Sequence, residues 1–294
     1  SNLTQVKKIN DTTLEKKAIS DYGKQRINDE INFYQEIKTY KLDFPLPKIR
    51  SLIENGFTME YLENYITYQK FLQEGNKINY HMLFSHFDNL HSIRKKIDKE
   101  EFIENLKLET FLKVKSRYQE IEKIIDKYSY INQVNGLKLL KFSEIISFIE
   151  NYVCQYLEQQ TDYKYYPTHG DLQLNNILID TNTHNIKFID PKGCFGKSSF
   201  FGMKQYDYAK FYFGLGGYSY FDTKIVDKLN IKDNNLIIDL KPIVKLDLSE
   251  VNLTNIFIIS IWLGNAHCFI DNELKVIESF FYALYLATQL IKKV

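Results

Sequence analysis

The chain has 294 residues, 38 basic against 37 acidic, for a net charge of +1. So balanced a chain offers no global field to gather nucleic acid or an anionic membrane, and neither is expected as a partner. With 44% hydrophobic residues but only five Pro and twelve Gly, it can fill a sizeable core and leaves little for long linkers; the length points to about two domains.

Residues 3–9 and 13–19 are predicted as short strands split by the turn Asn10-Asp11. Apolar residues at 27, 31, 34 and 37 have helical spacing, so 27–38 is predicted as a helix that Pro45 and Pro47 follow. Residues 49–53 and 57–62 read as a hairpin around Asn55-Gly56. This β-β-α-β-β order is a small α+β unit, and from about residue 66 the chain turns helical. Helices are predicted over 79–96, 100–128 and 142–160, then a hairpin of strands 177–180 and 186–190, then helices near 204–213, 222–229, 250–270 and 273–292. The longest apolar run, 256–263, falls well short of the ~20 residues of a membrane span and reads as a buried helix. The N-terminus is polar, and the cysteines Cys154, Cys194 and Cys268 are far apart with no CxxC pair, so a reducing cytoplasm is expected.

The most informative stretch joins Thr168-His169-Gly170-Asp171 to Asn176 and, across the predicted hairpin, to Ile189-Asp190-Pro191-Lys192-Gly193. Phosphoryl transfer to a hydroxyl needs an acceptor for the proton, hard oxygen ligands for a metal, and positive charge to orient phosphates. Asp171 suits the first role, which is worth about 10²–10⁴-fold in typical general-base catalysis. Asn176 and Asp190 offer an amide oxygen and a carboxylate, and two protein ligands suffice for Mg²⁺. His169 reads as a loop brace, and Asp207 as an N-cap or a second brace. For the phosphate-orienting lysine, the second strand offers Lys16 and Lys17. Lys16 is favoured because it shares a strand face with Leu14 and Ala18. Its partner is sought on the following helix, at Glu30 first and Glu36 second. Met59, Glu60 and Leu62 end the small unit and are placed at the nucleobase, with the backbone of 60–62 at its edge. Gly196-Lys197-Ser198 lacks the upstream glycine of a phosphate-binding P-loop, and His81, His86 and His91 are five apart, a spacing that does not stack on one helix face and makes a poor metal set.

On these motifs the chain resembles the aminoglycoside phosphotransferase and choline kinase group of kinase-like enzymes. The carriers are His169-Gly170-Asp171, Asn176, Ile189-Asp190 and the Leu90-His91 segment. Asp190-Pro191-Lys192-Gly193 with Tyr206-Asp207-Tyr208 is similar to phosphotransferase domains linked to bacterial surface polysaccharides. The resemblance implies a two-lobed α+β fold, with a reduced β-rich N-lobe at 1–63 and a helical C-lobe at 64–294. It also implies ATP or GTP with Mg²⁺, and a small-molecule alcohol as acceptor. The usual first strand and its glycine-rich loop are missing or reduced, which keeps a catalytically degenerate nucleotide-binding protein open. Residues 214–294 hold nine acidic and eight basic side chains, without the acidic excess a polycationic aminoglycoside would call for. Tyr218, Tyr220 and Phe221 fit either an aromatic pocket or core packing. A sugar or related polyol is the favoured acceptor class.

Overall fold

A computed structural model describes residues 3–293. Two short segments of β-structure open the first compact unit: β1 (Thr4–Asn10) and β2 (Thr13–Ala18) pair antiparallel through Val6↔Lys16. Strands β3 (Ile49–Ile53) and β4 (Gly56–Glu60) complete a four-stranded sheet in the order β1-β2-β4-β3, with Lys16 opposite Phe57. Helix α1 (Asp21–Thr39) crosses this sheet. It starts six residues before the predicted 27 because its first turns are polar and carry no apolar period. Ser20 caps it, accepting from the Gly23 amide at 3.0 Å. At Gly23 a Cβ would lie 2.1 Å from the Leu3 carbonyl oxygen, so only glycine allows strand and helix so close. Ile27 packs with Phe57 and Met59, flanked by Leu14, Ala18, Ile31 and Ile49.

The same unit continues through β5 (Tyr65–Thr67), α2 (Tyr68–Gln73) and α3 (Tyr80–Leu90), then takes up Lys164–Asp207. Helix α3 stops at His91, short of the predicted 96. β5 pairs with Ile177–Asp180, which pairs with Ile186–Phe188. Packing therefore groups the chain as residues up to Lys95 with Lys164–Asp207, and Lys96–Tyr163 with the residues from Tyr208 onward. This grouping differs from a boundary at 63/64 because β5 is bound into the later hairpin.

The second unit is helical. Lys99–Lys107 and Lys113–Asp126 join through the wide turn Leu108–Leu112, and Phe142–Gln159 follows. Ser219–Thr223 is helical where 222–229 was predicted; after Lys224 the chain runs extended, and Ile225 is exposed. Leu253–Asn265 is buried on nearly all sides, around Trp262. Glu273–Ile291 is long and apolar enough to cross a membrane, yet 72% of that window is buried inside the protein, as in a core helix. Helices of this unit meet at an aromatic knot, with Trp262 4.8 Å from Phe213 and 4.9 Å from Tyr282 between ring centroids. Trp262→Ala should cost about 3–5 kcal/mol of unfolding free energy, read from urea denaturation of the whole chain. A loss under about 1 kcal/mol would mean the knot does not hold this unit together.

Candidate active site

The loop after strand Lys164–Pro167 owes its shape to hydrogen bonds that its backbone donates to one buried carboxylate. Asp207 accepts from the backbone of His169 at 3.0 Å and of Gly170 at 2.7 Å, and its Oδ2 lies 3.1 Å from His91 Nε2. Asp207 lies within helix Lys204–Phe213 and braces the loop, so its side chain does not serve as an N-cap. Gly170 sits at φ 80°, and a Cβ there would lie 3.0 Å from Lys192 Cβ and 3.1 Å from the Cys194 carbonyl oxygen. The His91 partner of Asp207 lies 116 residues from it and escaped residue-by-residue reading; the Leu90-His91 resemblance was the signal that pointed to it.

His169 is a brace with both ring nitrogens in use. The Asp171 amide donates to Nδ1 at 3.2 Å, so Nε2 carries the proton and donates to the Ile189 carbonyl at 3.1 Å. Burial, against the raising effect of Asp207, Asp171 and Asp190, holds its pKa below the usual 6.5 and keeps it neutral.

A short turn, Leu174–Asn176, brings Asn176 back to Asp171. Its amide nitrogen donates to both the backbone oxygen and Oδ2 of Asp171, each at 2.9 Å. Those two acceptors fix the amide orientation and leave Asn176 Oδ1 as the oxygen that could ligate a cation. The Ile189 amide donates to the Asn176 carbonyl at 3.0 Å, which sets Asp190 beside the loop. Asp190 sits at φ 55°, a left-handed conformation rare outside glycine and further restricted by Pro191. Its side chain is half exposed, and the donor set of one carboxylate and one amide oxygen suits a hard cation such as Mg²⁺.

Lys16 reaches this site from β2. It is 6% exposed, donates to Glu30 at 2.6 Å, and also pairs with Asp190. Lys17 is exposed, so the alternation of the strand separates the two lysines. Burial works to lower the Lys16 pKa, but Glu30 and Asp190 override it and the net shift is upward. Burial raises the Glu30 carboxyl to about 7, with Asp190 adding to the rise and Lys16 opposing it.

Met59 is buried in the sheet core, while Glu60 accepts from the Lys48 amide at 2.9 Å. The Glu60 and Tyr61 amides are spent on Lys48 and Thr12. Of the amides of 60–62, that of Leu62 makes no hydrogen bond among the described residues, so it is the one left for a base edge. The Tyr34 hydroxyl, one helical turn after Glu30, is buried without a hydrogen-bond partner. Among the described residues no three His, Cys, Asp or Glu converge as a metal set. In the second unit Tyr218 stacks on Phe213 at 4.1 Å and Phe221 packs on Trp262 and Phe269, so both are packing residues. The Lys275 ammonium lies over the Phe221 and Phe269 rings, at 5.2 and 4.6 Å.

No protein-family model and no curated protein matches the sequence. Solved structures do. Choline kinase LicA from Streptococcus pneumoniae aligns at a TM-score of 0.53 and 12% identity, over 98% of this chain and 90% of that one. The Plasmodium vivax ethanolamine kinase aligns at 0.51 and 13%, over 99% and 84%. A choline/ethanolamine kinase family protein from Mesorhizobium loti aligns at 0.50 and 9%, over 99% and 88%. The chain has the fold of the choline and ethanolamine kinases. In that kinase-like fold the motif residues stand on a small sheet, its helix and a helix-supported loop, as the α+β reading anticipated.

His169 gives the site a pH dependence of stability. Its folded pKa lies below the unfolded 6.5, so its contribution is whole above pH 6.5 and is lost as pH falls through the folded value. His169→Gln keeps one donor and one acceptor but does not titrate. Urea unfolding between pH 5 and 8 should therefore show a flatter profile in the variant; identical slopes would mean His169 charges freely in the folded chain.

Proposed function

We propose that this chain is an ATP- and Mg²⁺-dependent phosphotransferase acting on an alcohol group of a small molecule. The observation that carries this reading is the buried Lys16–Glu30 pair whose lysine also reaches Asp190. A lysine is buried at such cost only where paired charge compensates it, and here one lysine ties sheet, helix and metal loop together. Mg²⁺–nucleotide, when bound, supplies the transferable phosphoryl group and neutralises its charge. Lys16 orients phosphate oxygens, and Glu30 holds Lys16 in place. Asn176 Oδ1 and the Asp190 carboxylate hold the metal. Asp171 orients the acceptor hydroxyl and takes its proton at a carboxylate oxygen, kept in place by the Asn176 amide. His169 and Asp207 fix the loop, and of the backbone at 60–62 the Leu62 amide is the donor left for the base, with Met59 in the sheet core behind it.

The solved relatives are named for choline and ethanolamine, so amino alcohols join sugars and other polyols as candidate acceptors. GTP is the alternative nucleotide. A second reading, a nucleotide-binding protein without turnover, rests on the turn Asn10-Asp11-Thr12, which has no glycine to close over phosphates.

A coupled ATP-consumption screen over amino alcohols, sugars and aminoglycosides should find an acceptor with Mg²⁺-dependent turnover. Asp171→Asn should lower kcat by about 10²–10⁴-fold, and Asp190→Ala should leave little turnover. Wild-type rates in both variants would sink the kinase reading. Stabilisation by Mg²⁺–ATP without turnover on any acceptor would favour the second reading.

A further inference from the structure

Asp190 must hold a left-handed backbone immediately before a proline, a conformation that persists only when its surroundings dictate it. On its N-terminal side the dictation is clear. Ile189 donates to the Asn176 carbonyl and accepts from His169. On its C-terminal side the chain runs along α1. Arg26 Nη1 donates to the Lys192 carbonyl at 3.0 Å. Gly193, at φ 62°, rests against the helix: a Cβ there would lie 3.0 Å from the Asp29 carbonyl oxygen and 3.3 Å from Phe33 Cβ. Further on, Asn32 Nδ2 donates to Ser199 Oγ at 3.1 Å, and Tyr40 stacks on Phe200 at 5.7 Å. The Gly193 amide turns inward to the His169 carbonyl at 3.0 Å.

Arg26 lies one helical turn before Glu30 and so shares its face of α1. One face of one helix thus holds Lys16 through a carboxylate and the metal loop through a guanidinium. The Lys192 carbonyl lies two residues after Asp190, so a side-chain donor there restrains the chain just beyond Asp190-Pro191.

We propose that Arg26 is a positioning residue for the metal site: its bond to the Lys192 carbonyl pins the loop to α1 and holds the Asp190 carboxylate where it can ligate. This rests on the reading of Asp190 as a metal ligand. Arg26 also lies 3.6 Å from Asp29, so the ion pair and the carbonyl bond must be separated by experiment.

The probe is Mn²⁺ with ADP, titrated by electron paramagnetic resonance into the full chain, with amide exchange at Gly193 and Phe200 read in parallel. Arg26→Ala should weaken Mn²⁺ by about tenfold, the usual cost of losing a residue that orients a ligand, and should speed exchange at Gly193. Arg26→Lys, which keeps a donor, should recover part of the affinity. Asp29→Asn, which breaks the ion pair and spares the carbonyl bond, should bind Mn²⁺ as the parent does. A folded Arg26→Ala with parental Mn²⁺ affinity overturns the proposal, and so does an Asp29→Asn as impaired as Arg26→Ala. Should Arg26→Ala fail to fold, Arg26→Gln against Arg26→Lys decides: a weaker Gln variant supports the role, and two variants both at parental affinity overturn it. Absence of Mn²⁺ binding in the parent chain removes the metal reading of Asp190 and the proposal with it, an outcome distinct from unchanged affinity in the variants.

Discussion

One positive charge shared by two carboxylates organises the first unit. Lys16 is buried on a strand, Glu30 on a helix, and Asp190 in a loop; no two of them lie on the same element. Removing Lys16 leaves a buried carboxylate uncompensated, and removing Glu30 leaves the buried lysine with only the half-exposed Asp190, so in either case the cost exceeds what the pair contributed. The three segments therefore have strong electrostatic reason to stay in register. The asymmetry within the trio is chemically useful. Glu30 is sealed in, with its carboxyl raised to about 7, while the Asp190 side chain is half exposed. The enclosed carboxylate can only serve the lysine. The open one can exchange the lysine for a cation.

The loop from Thr168 to Asn176 solves a different problem. The His169 and Gly170 amides, which follow strand Lys164–Pro167, take their acceptor from a side chain. Asp207 supplies two acceptor oxygens, and His91 steadies the carboxylate from the far side. His169 then spans from the Asp171 amide to the Ile189 carbonyl, joining the Asp171 segment to the Asp190 segment. Asp207 uses both carboxylate oxygens and His169 both ring nitrogens, so the geometry is stiff at small cost. Asp171 itself is left with a carboxylate whose position is set by its neighbours and not by its own packing.

How much of this the sequence disclosed varied with distance along the chain. The loop, the hairpin and Asp190 lie within about twenty residues of one another, and apolar runs of the right length bring them together. Lys16 could be preferred over Lys17 from strand alternation alone, because one face of β2 is apolar. Boundaries were harder. Helix α1 begins in polar turns whose signal is the Ser20 cap rather than any period. β5 has three residues and no pattern until Ile177–Asp180 pairs with it. Residues 222–229 look helical by composition, but the chain there extends and Lys224 reaches Glu278, a contact between residues far apart in sequence. The braces His91 and Arg26 act through partners more than a hundred residues away, where local reasoning has nothing to read.

The segment that follows Asp190 decides whether the site must be assembled by some outside event. It leaves Gly193 bonded to the His169 carbonyl, turns, and returns at Phe201–Gly202 to pair with Lys164–Pro167, the strand that runs into Thr168-His169-Gly170-Asp171. One end of the segment is thereby tied to His169 and the other to the strand just before it, and the span between them lies against α1. Gly202 marks how tight this closure is, since a Cβ there would lie 2.3 Å from Phe195 Cβ. So short a closed path has little slack to rearrange and little conformational entropy to lose when the site is filled. Order at the metal loop is then a consequence of core packing. Substitutions that loosen Phe33, Phe200 or Gly193 should act on the site and on folding together, because the same contacts serve both.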